Sequence, residues 1–314
     1  MVVICEFMDE TAVARLAALH QTLYDAKLVD RRDELKARLA SARALIVRNR
    51  TKVDADLLAA APQLRVVGRL GVGLDNIDTS ACAARGIDVI AATGANALAV
   101  AEYVIATAMV LLRGAYFSSA AVAAGEWPRA ALADGREIAG ATLGIVGFGG
   151  IGRLVAARAK GLAMQVIGCD TRIAPGSPVW DAAQVEPRTL DQVLAAADVV
   201  TAHVPLTPAT IGLFDAMRLA SMKAGACLIN TSRGGIVDEA ALAAALRSGA
   251  LGGAALDVLA QEPLPAGSPL AGCPHLILTP HIAGVTRESN VRVSTLIGEK
   301  VAAALAAALP AVAA

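Results

Sequence analysis

The sequence predicts an α/β protein built from two Rossmann-like or flavodoxin-like domains, each a doubly wound parallel sheet, with a cleft between them. Three observations carry that expectation. Short runs of strand-forming residues alternate with helical patterns along most of the chain. A G-x-G-x-x-G run, Gly147-Phe148-Gly149-Gly150-Ile151-Gly152, sits between a strand pattern and a helix pattern. The alternation then restarts, which makes two series of elements. With 314 residues, 56% of them hydrophobic, the chain has material for two cores.

The first series reads as a strand over Val2 to Cys5, a helix over Thr11 to His20, a strand over Ala44 to Val47, a helix over Val53 to Ala60 and a strand over Arg65 to Val67. Ala99 to Arg113 reads as a long buried helix joining the two series. The second series opens with a strand over Thr142 to Val146 and a helical pattern over Arg153 to Lys160. Strands follow near Gln165 to Cys169, Val199 to His203, Ala226 to Asn230, Gly253 to Leu256 and Leu276 to Thr279. The Pro/Gly-rich stretch Ile173 to Val179 is expected as a surface loop. Leu296 to Ala314 is helical by pattern and arrives after the second series is complete, so it is expected to return to the first domain. The expected boundaries are 1–98 plus 289–314 for a discontinuous substrate domain and 99–288 for a dinucleotide domain.

Each glycine of the run has a mechanical reason. Gly147 permits the tight turn, Gly149 removes a side chain that would keep the backbone from a pyrophosphate, and Gly152 lets helix and strand pack closely. Gly150 and Ile151 lie in the turn that leads into the helix, whose N-terminal N–H groups and positive dipole end favour phosphate. Eighteen positions after Gly152 the apolar run from Gln165 ends at Asp170, where a second strand would present a carboxylate to an adenosine ribose. Such a carboxylate repels a 2′-phosphate and selects NAD over NADP, with Arg172 partly offsetting the repulsion. The plainer alternative for Asp170 is a strand-end turn residue.

Lysine plus arginine balance aspartate plus glutamate at 28 each, so no strong field draws the chain to nucleic acid or to an anionic membrane. The five cysteines, Cys5, Cys82, Cys169, Cys227 and Cys273, are scattered and contain no C-x-x-C pair, which argues against a disulfide framework and against a zinc site. No metal is expected. The N-terminus lacks a basic flank and reads as a strand rather than a secretory signal. The apolar run Ala97 to Leu112 contains Glu102, and the tail after Val301 is broken by Pro310, so no bilayer span is expected and the compartment expected is the cytoplasm.

Three apolar runs after the glycine turn each end in a polar group. Leu228 to Asn230 leads to Thr231, Ser232 and Arg233, followed by Gly234 and Gly235, which would let a ligand approach the backbone. Ala254 to Leu256 leads to Asp257 and then to Glu262-Pro263, and Leu276 to Leu278 leads to Thr279-Pro280-His281. In a parallel sheet the strand C-termini share one edge, and ligands bind there. Hydride transfer between a hydroxy acid and NAD needs a base for the hydroxyl proton, a group that holds the base, and a cation for the carboxylate. His281 would shuttle the proton. Glu262 would accept its second N–H and favour the protonated ring, and Arg233 would hold the carboxylate through paired hydrogen bonds. Each has a plainer alternative, respectively a structural loop histidine, a glutamate that starts a turn, and a surface ion pair.

With these residues in place the chain resembles the D-2-hydroxyacid dehydrogenase family, and most closely its 3-phosphoglycerate branch. The likeness runs through Val47 to Val53, Gly68 to Asp78, Asn96 with Val100-Ala101-Glu102, Gly147 to Gly152, Ser232 to Glu239, Ala254 to Val258, Glu262-Pro263 and Pro280-His281. It covers almost the whole chain. The resemblance implies that Arg233, Glu262 and His281 are the family's catalytic arginine, glutamate and histidine, and that Asp257 contacts the nicotinamide carboxamide. It also implies cofactor contacts from His203, Pro205, Thr231, Ser232 and Gly284. In the first domain it implies that backbone N–H groups around Val72 and Gly73 hold the substrate carboxylate and that Asn96 lies at a hinge near the substrate. Where the family usually has a basic or varied residue this chain has Gly150, which leaves phosphate binding by backbone intact. A homodimer is implied, formed through the long helix from Ala99 and the segment around Trp127.

Substrate identity turns on Arg48, Arg50 and Arg69, with Asn49 between the first two. Arginines there are expected against a second anionic group, which points to a 2-hydroxy acid with an anionic C3, 3-phosphoglycerate first and (S)-3-sulfolactate as the alternative. The plainer alternative is a solvated basic strand end, which would fit a general D-2-hydroxyacid or glyoxylate/hydroxypyruvate reductase. Many members of the branch carry a C-terminal regulatory domain, and none is read here, so serine feedback through one is not expected. A non-enzymatic alternative is an NAD-sensing corepressor-like protein on the same fold, against which the Arg233, Glu262 and His281 set argues.

Overall fold

The computed structural model describes residues 1–307. The chain forms two compact units, Met1–Asn96 with the segment from Val285, and Ala97–Gly284. The junctions fall at 96/97 and 284/285, not at the expected 98/99 and 288/289. The long helix begins at Ala97, and its Val100 and Ala101 already belong to the core of the second unit. At the other junction Thr286 Oγ1 accepts the Ser289 N–H at 3.0 Å and so starts the returning helix, Arg287–Ala307, ahead of the expected Leu296. The last seven residues of the expected helix lie outside the described residues.

The first unit is a five-stranded parallel sheet. Its elements in order are β1 (Val2–Ile4), α1 (Glu10–Leu19), β2 (Thr22–Tyr24), α2 (Arg32–Leu39), β3 (Ala44–Val47), α3 (Ala55–Ala59), β4 (Val66–Arg69), α4 (Thr79–Ala84) and β5 (Asp88–Ala91). The strand order β2-β1-β3-β4-β5 is the flavodoxin-like order. Side chains alternate between two cores, as the pleat requires. Val2, Ile4, Ala44 and Ile46 pack with α1 and the returning helix, through Leu16, Val293, Ile297 and Val301. Val3, Cys5, Leu45 and Val47 pack on the other face with Leu35, Leu39 and Leu57. The expected helix over Val53 to Ala60 is shorter, because Val53 pairs with Ile77 in an isolated bridge and Asp54 caps the helix through the Leu57 N–H.

The second unit is a seven-stranded parallel sheet. It comprises α5 (Ala97–Arg113), α6 (Ser119–Ala123), β6 (Thr142–Val146), α7 (Gly150–Gly161), β7 (Gln165–Cys169), α8 (Pro178–Ala183), β8 (Glu186–Pro187), α9 (Leu190–Ala196), β9 (Val199–Ala202), α10 (Ala216–Ala220), β10 (Cys227–Asn230), α11 (Glu239–Arg247), β11 (Gly253–Leu256) and β12 (Leu276–Leu278). The sheet order is β12-β11-β10-β9-β6-β7-β8. Counted from β6 this is the Rossmann order with one strand added at the edge, and its switch point lies between β6 and β9. One face packs Leu143, Ile145 and Ile229 against α5 and α7, and the other packs Val146, Val200 and Leu228 against α9 to α11. The expected loop Ile173 to Val179 ends early, since Pro178 opens α8 behind a Ser177 cap.

Candidate active site

The glycine run sits at the carboxyl end of β6, at the switch point of the second sheet. Gly147 has φ +96, and a Cβ there would lie 2.5 Å from the His203 carbonyl oxygen. A Cβ on Gly152 would lie 2.4 Å from the carbonyl oxygen of Gly147. These two glycines are therefore demanded by the protein's own packing. Gly149 and Gly150 are different, because a Cβ at either would meet nothing within 4 Å. The space they leave is open, and α7 begins at N-cap Gly149 with no side chain closing its first N–H groups. Asp170 follows β7, and its Oδ2 accepts the Phe148 N–H at 2.8 Å, which pins the carboxylate beside the glycine turn. Its Oδ1 accepts the Arg172 N–H at 2.8 Å.

Further along the same edge, Thr231 Oγ1 is buried with no hydrogen-bond partner. Buried polar atoms of that kind are uncommon and call for a missing partner. His203, just past β9, has its Nε2 3.1 Å from Thr201 Oγ1, and burial pushes its imidazole down to about 4, so the ring is neutral at physiological pH. Pro205 is exposed, and Ser232 is buried with its Oγ donating to the Ala202 carbonyl. The open cradle, the Asp170 carboxylate beside it and the orphaned Thr231 hydroxyl together fit a dinucleotide.

β10, β11 and β12 lie in register, with Asn230 beside Leu256 and Leu256 beside Leu278, so the residues just beyond them share one edge. Asn230 organises the first turn, its Oδ1 accepting the Ser232 N–H and its Nδ2 donating to the Arg233 carbonyl, each at 3.0 Å. Arg233 Nη1 donates to the Ser232 carbonyl at 2.6 Å. Gly234 does not open the backbone to a ligand as expected, because a Cβ there would lie 1.8 Å from the Leu259 carbonyl oxygen. It lets two loops of the edge touch.

Asp257 is buried and holds the loop that follows β12. Its Oδ1 accepts from Thr279 Oγ1 at 2.5 Å and from the Ile282 N–H at 2.8 Å, and its Oδ2 accepts the Ala283 N–H at 2.8 Å. Tyr103 of α5 meets Thr279 Oγ1 at 2.8 Å. His281, at φ +55, is held in the left-handed region by two backbone bonds from its N–H, to Asp257 at 2.8 Å and Thr279 at 3.0 Å. Its Nδ1 lies 2.9 Å from Glu262 Oε2, while Glu262 Oε1 accepts the Leu259 N–H at 3.0 Å. Gly284 ends the unit. Asn230, Thr279 and Tyr103 carry no motif of their own, and only their position beside motif residues could have marked them.

The substrate candidates Arg48, Asn49, Arg50, Arg69, Val72, Gly73 and Asn96 all belong to the first unit. Arg48 is half-buried, its guanidinium 5.7 Å above the Phe7 ring and its Nη2 donating to Asn290 Oδ1 at 2.9 Å. Desolvation pulls its pKa below the ordinary guanidinium value, although the Glu6 charge opposes the shift. Arg50 is exposed and ion-paired with Asp30. Arg69 folds over Gly71, with its Nη1 donating to the Leu70 carbonyl at 3.3 Å. Among the described residues the N–H groups of Val72 and Gly73 find no acceptor in the protein, and the buried Oδ1 of Asn96 has no donor.

An imidazole oriented by a carboxylate, on the same sheet edge as an open dinucleotide cradle, is equipped for nicotinamide-dependent oxidation of an alcohol carbon. Comparison with known proteins agrees. Residues 105–283 match the model of the D-isomer specific 2-hydroxyacid dehydrogenase NAD-binding domain. The chain is 55% identical to an (S)-sulfolactate dehydrogenase of Chromohalobacter salexigens, over 97% of this chain and 98% of that protein. It is 42% identical to a D-3-phosphoglycerate dehydrogenase of Mycobacterium leprae, over 95% of this chain, which spans 56% of that longer protein. The D-lactate dehydrogenase of Aquifex aeolicus, solved with NAD and lactic acid, superposes with a TM-score of 0.83 at 25% identity, covering 98% of this chain and 96% of that one. The chain belongs to the D-isomer specific 2-hydroxyacid dehydrogenases, enzymes that use NAD. No single helix among the described residues is long and apolar enough to cross a membrane.

Proposed function

We propose that the protein oxidises (S)-3-sulfolactate to 3-sulfopyruvate with NAD. The observation that carries this reading is the 55% identity to a sulfolactate dehydrogenase along nearly the full length of both chains. The 3-phosphoglycerate reading expected first gives way to its alternative, since the phosphoglycerate relatives stand at 40–42%. Loop chemistry supports the change. Asp30 occupies Arg50, whereas the Arg48 guanidinium donates to a neutral amide and lies over an aromatic face, the nearby Glu6 carboxylate being taken up by backbone N–H groups. One guanidinium matches the single charge of a sulfonate, while a phosphate carries between about 1.5 and 2 charges at neutral pH.

The residue roles proposed are those the resemblance implies, and the geometry supports them. In the second unit Arg233 is the carboxylate-binding cation; in the first, the N–H groups of Val72 and Gly73 are carboxylate donors and Arg48 takes the sulfonate. Glu262 accepts from Nδ1, so Nε2 of His281 is the nitrogen that receives the hydroxyl proton as the C2 carbonyl forms. Bound NAD supplies the acceptor for the C2 hydride. Asp257 fixes the loop that carries His281 and offers its carboxylate to the nicotinamide amide. Gly149, Gly150, Ile151 and Gly152 present backbone to the pyrophosphate, Asp170 takes the adenosine ribose, and Thr231 and Asn96 give their orphaned oxygens to cofactor and substrate respectively. His203, Pro205, Ser232 and Gly284 complete the cofactor contacts. We assign the enzyme to the cytoplasm, in keeping with five free cysteines, and to a homodimer.

NADH formation by the purified enzyme with (S)-3-sulfolactate, D-3-phosphoglycerate, D-lactate, D-glycerate and D-malate tests this directly. The expected result is the highest kcat/KM with sulfolactate and NAD. Preference for phosphoglycerate would restore the first reading, and preference for D-lactate or D-glycerate would return Arg48 to a structural role.

A further inference from the structure

In an open α/β sheet the crevice outside the carboxyl ends of the strands, where the strand order reverses, is the usual ligand position. In the first unit that point lies between β1 and β3, and the chain fills it from within. Glu6 follows β1, and the loop Arg48–Thr51 follows β3. Glu6 is only 3% exposed, and its carboxylate accepts four successive backbone N–H groups, from Arg48 at 2.9 Å, Asn49 at 3.3 Å, Arg50 at 3.1 Å and Thr51 at 3.0 Å. Asn76 grips the other side of the loop, its Nδ2 donating to the Thr51 carbonyl at 2.7 Å and to the Arg48 carbonyl at 3.4 Å. The returning helix contributes Asn290 to the Arg48 guanidinium.

Two consequences follow. The loop's amides, which would otherwise form an anion-binding nest, are taken by the chain's own carboxylate, so an external anion at this loop has to be met by a side chain. The loop's backbone is also fixed at both its N–H and its C=O groups, so the direction in which Arg48 leaves it is fixed too. Burial would raise the Glu6 pKa, but the N–H groups of Arg48, Thr51 and Arg50 outweigh it and hold the group below the ordinary glutamate value, ionised at any working pH.

We infer that Glu6 is a specificity-positioning residue, which holds the Arg48–Thr51 loop so that Arg48 is presented to the anionic C3 group of the substrate. This rests on the assignment of Arg48 to that group. The role is separate from the chemistry at C2, so it affects one class of substrate and spares the other. Glu6→Gln keeps the side-chain shape but turns an NH₂ donor toward loop N–H groups that have lost their acceptor.

The test measures kcat and KM for (S)-3-sulfolactate and for D-lactate, which has no C3 anion, together with NADH affinity, in wild type, Glu6→Gln and Asn76→Ala. In Glu6→Gln the kcat/KM for sulfolactate falls by about tenfold or more through KM, the size of losing one well-placed charge-assisted bond. The kcat/KM for D-lactate and the NADH affinity stay near wild type. Equal loss on both substrates, or loss on neither, overturns the inference and leaves the Arg48 assignment standing. A wild type with no preference for a C3-anionic acid overturns that assignment and this role with it, and is recognised before any variant is made. Should Glu6→Gln not fold, Asn76→Ala, which removes only the carbonyl side of the clamp, has to show the same split between substrates, and its absence overturns the inference.

Discussion

A single contact gives the two nitrogens of His281 different work. A carboxylate offers only acceptors, so Glu262 Oε2 at 2.9 Å makes Nδ1 the protonated nitrogen and leaves Nε2 as the ring's acceptor, the proposed proton site. In Glu262→Gln the amide offers either an oxygen or an NH₂, and the enforced tautomer is lost. Its kcat with (S)-3-sulfolactate should fall by about a hundredfold with NADH affinity unchanged, and an unaltered kcat would remove Glu262 from the mechanism. The two loop arginines separate by the same kind of reasoning. Arg48→Leu should cost about a hundredfold in kcat/KM for sulfolactate. Arg50→Ala, which breaks an exposed ion pair, should cost less than about threefold, and the reverse order would give the anion to Arg50. His281 and Glu262 were legible in the sequence because each follows a strand pattern and adjoins a proline. Glu6 was not, because the amides it binds lie 42 to 45 positions away and nothing local marks it.

Among the elements, the strands of the second sheet were the easiest to read, since β6, β9, β10 and β11 are buried on both faces and spell continuous apolar runs. The strands β2 and β5 escaped because they are short edge strands whose residues are only partly buried or exposed. The start of α8, Pro178 and Val179, was read as loop for a physical reason, a proline being as good an N1 residue as it is a breaker. One buried carboxylate ties several elements together. Asp198, just before β9, accepts the Thr142 N–H of β6 at 2.8 Å and pairs with Arg136 at 2.9 Å and Lys223 at 2.6 Å. Burial works to raise its pKa, but the two cations and the amide prevail and draw it down from 3.8 to about 2. A carboxyl depressed in the folded state stabilises fully above its unfolded pKa, and that contribution is lost as pH falls through the folded one. The gap corresponds to about 2 kcal/mol, or roughly 4–8 °C in a unit of this size. Asp198→Asn should therefore melt lower than wild type at pH 7, with the difference shrinking as pH drops from 4 toward 2. A difference that holds constant across that range would assign the loss to packing instead of charge.

For the whole molecule, the two strand orders place a switch point in each unit and treat it differently. The first closes its switch point with Glu6, and the second leaves an open glycine cradle. The restart of the strand rhythm after Gly147 made both units legible in the sequence. The homodimer came there only from the family resemblance, because association depends on which apolar residues the fold leaves uncovered. Along residues 109–127 it leaves Met109, Tyr116, Phe117, Val122 and Trp127 exposed, with Trp127 at 78%. Large apolar side chains clustered in one short stretch mark an interaction surface. Covering Trp127 alone would remove on the order of 200 Å² from water, worth roughly 5 kcal/mol before the entropy of association is charged against it. In a two-fold dimer each such residue is covered twice, once on each copy. Sedimentation equilibrium should thus return twice the 31.8 kDa chain mass for wild type. Trp127→Glu with Tyr116→Glu should return a single chain mass while preserving the far-UV circular dichroism, since neither side chain belongs to a core. A double variant that still sediments at twice the chain mass would move the interface to another face of the protein.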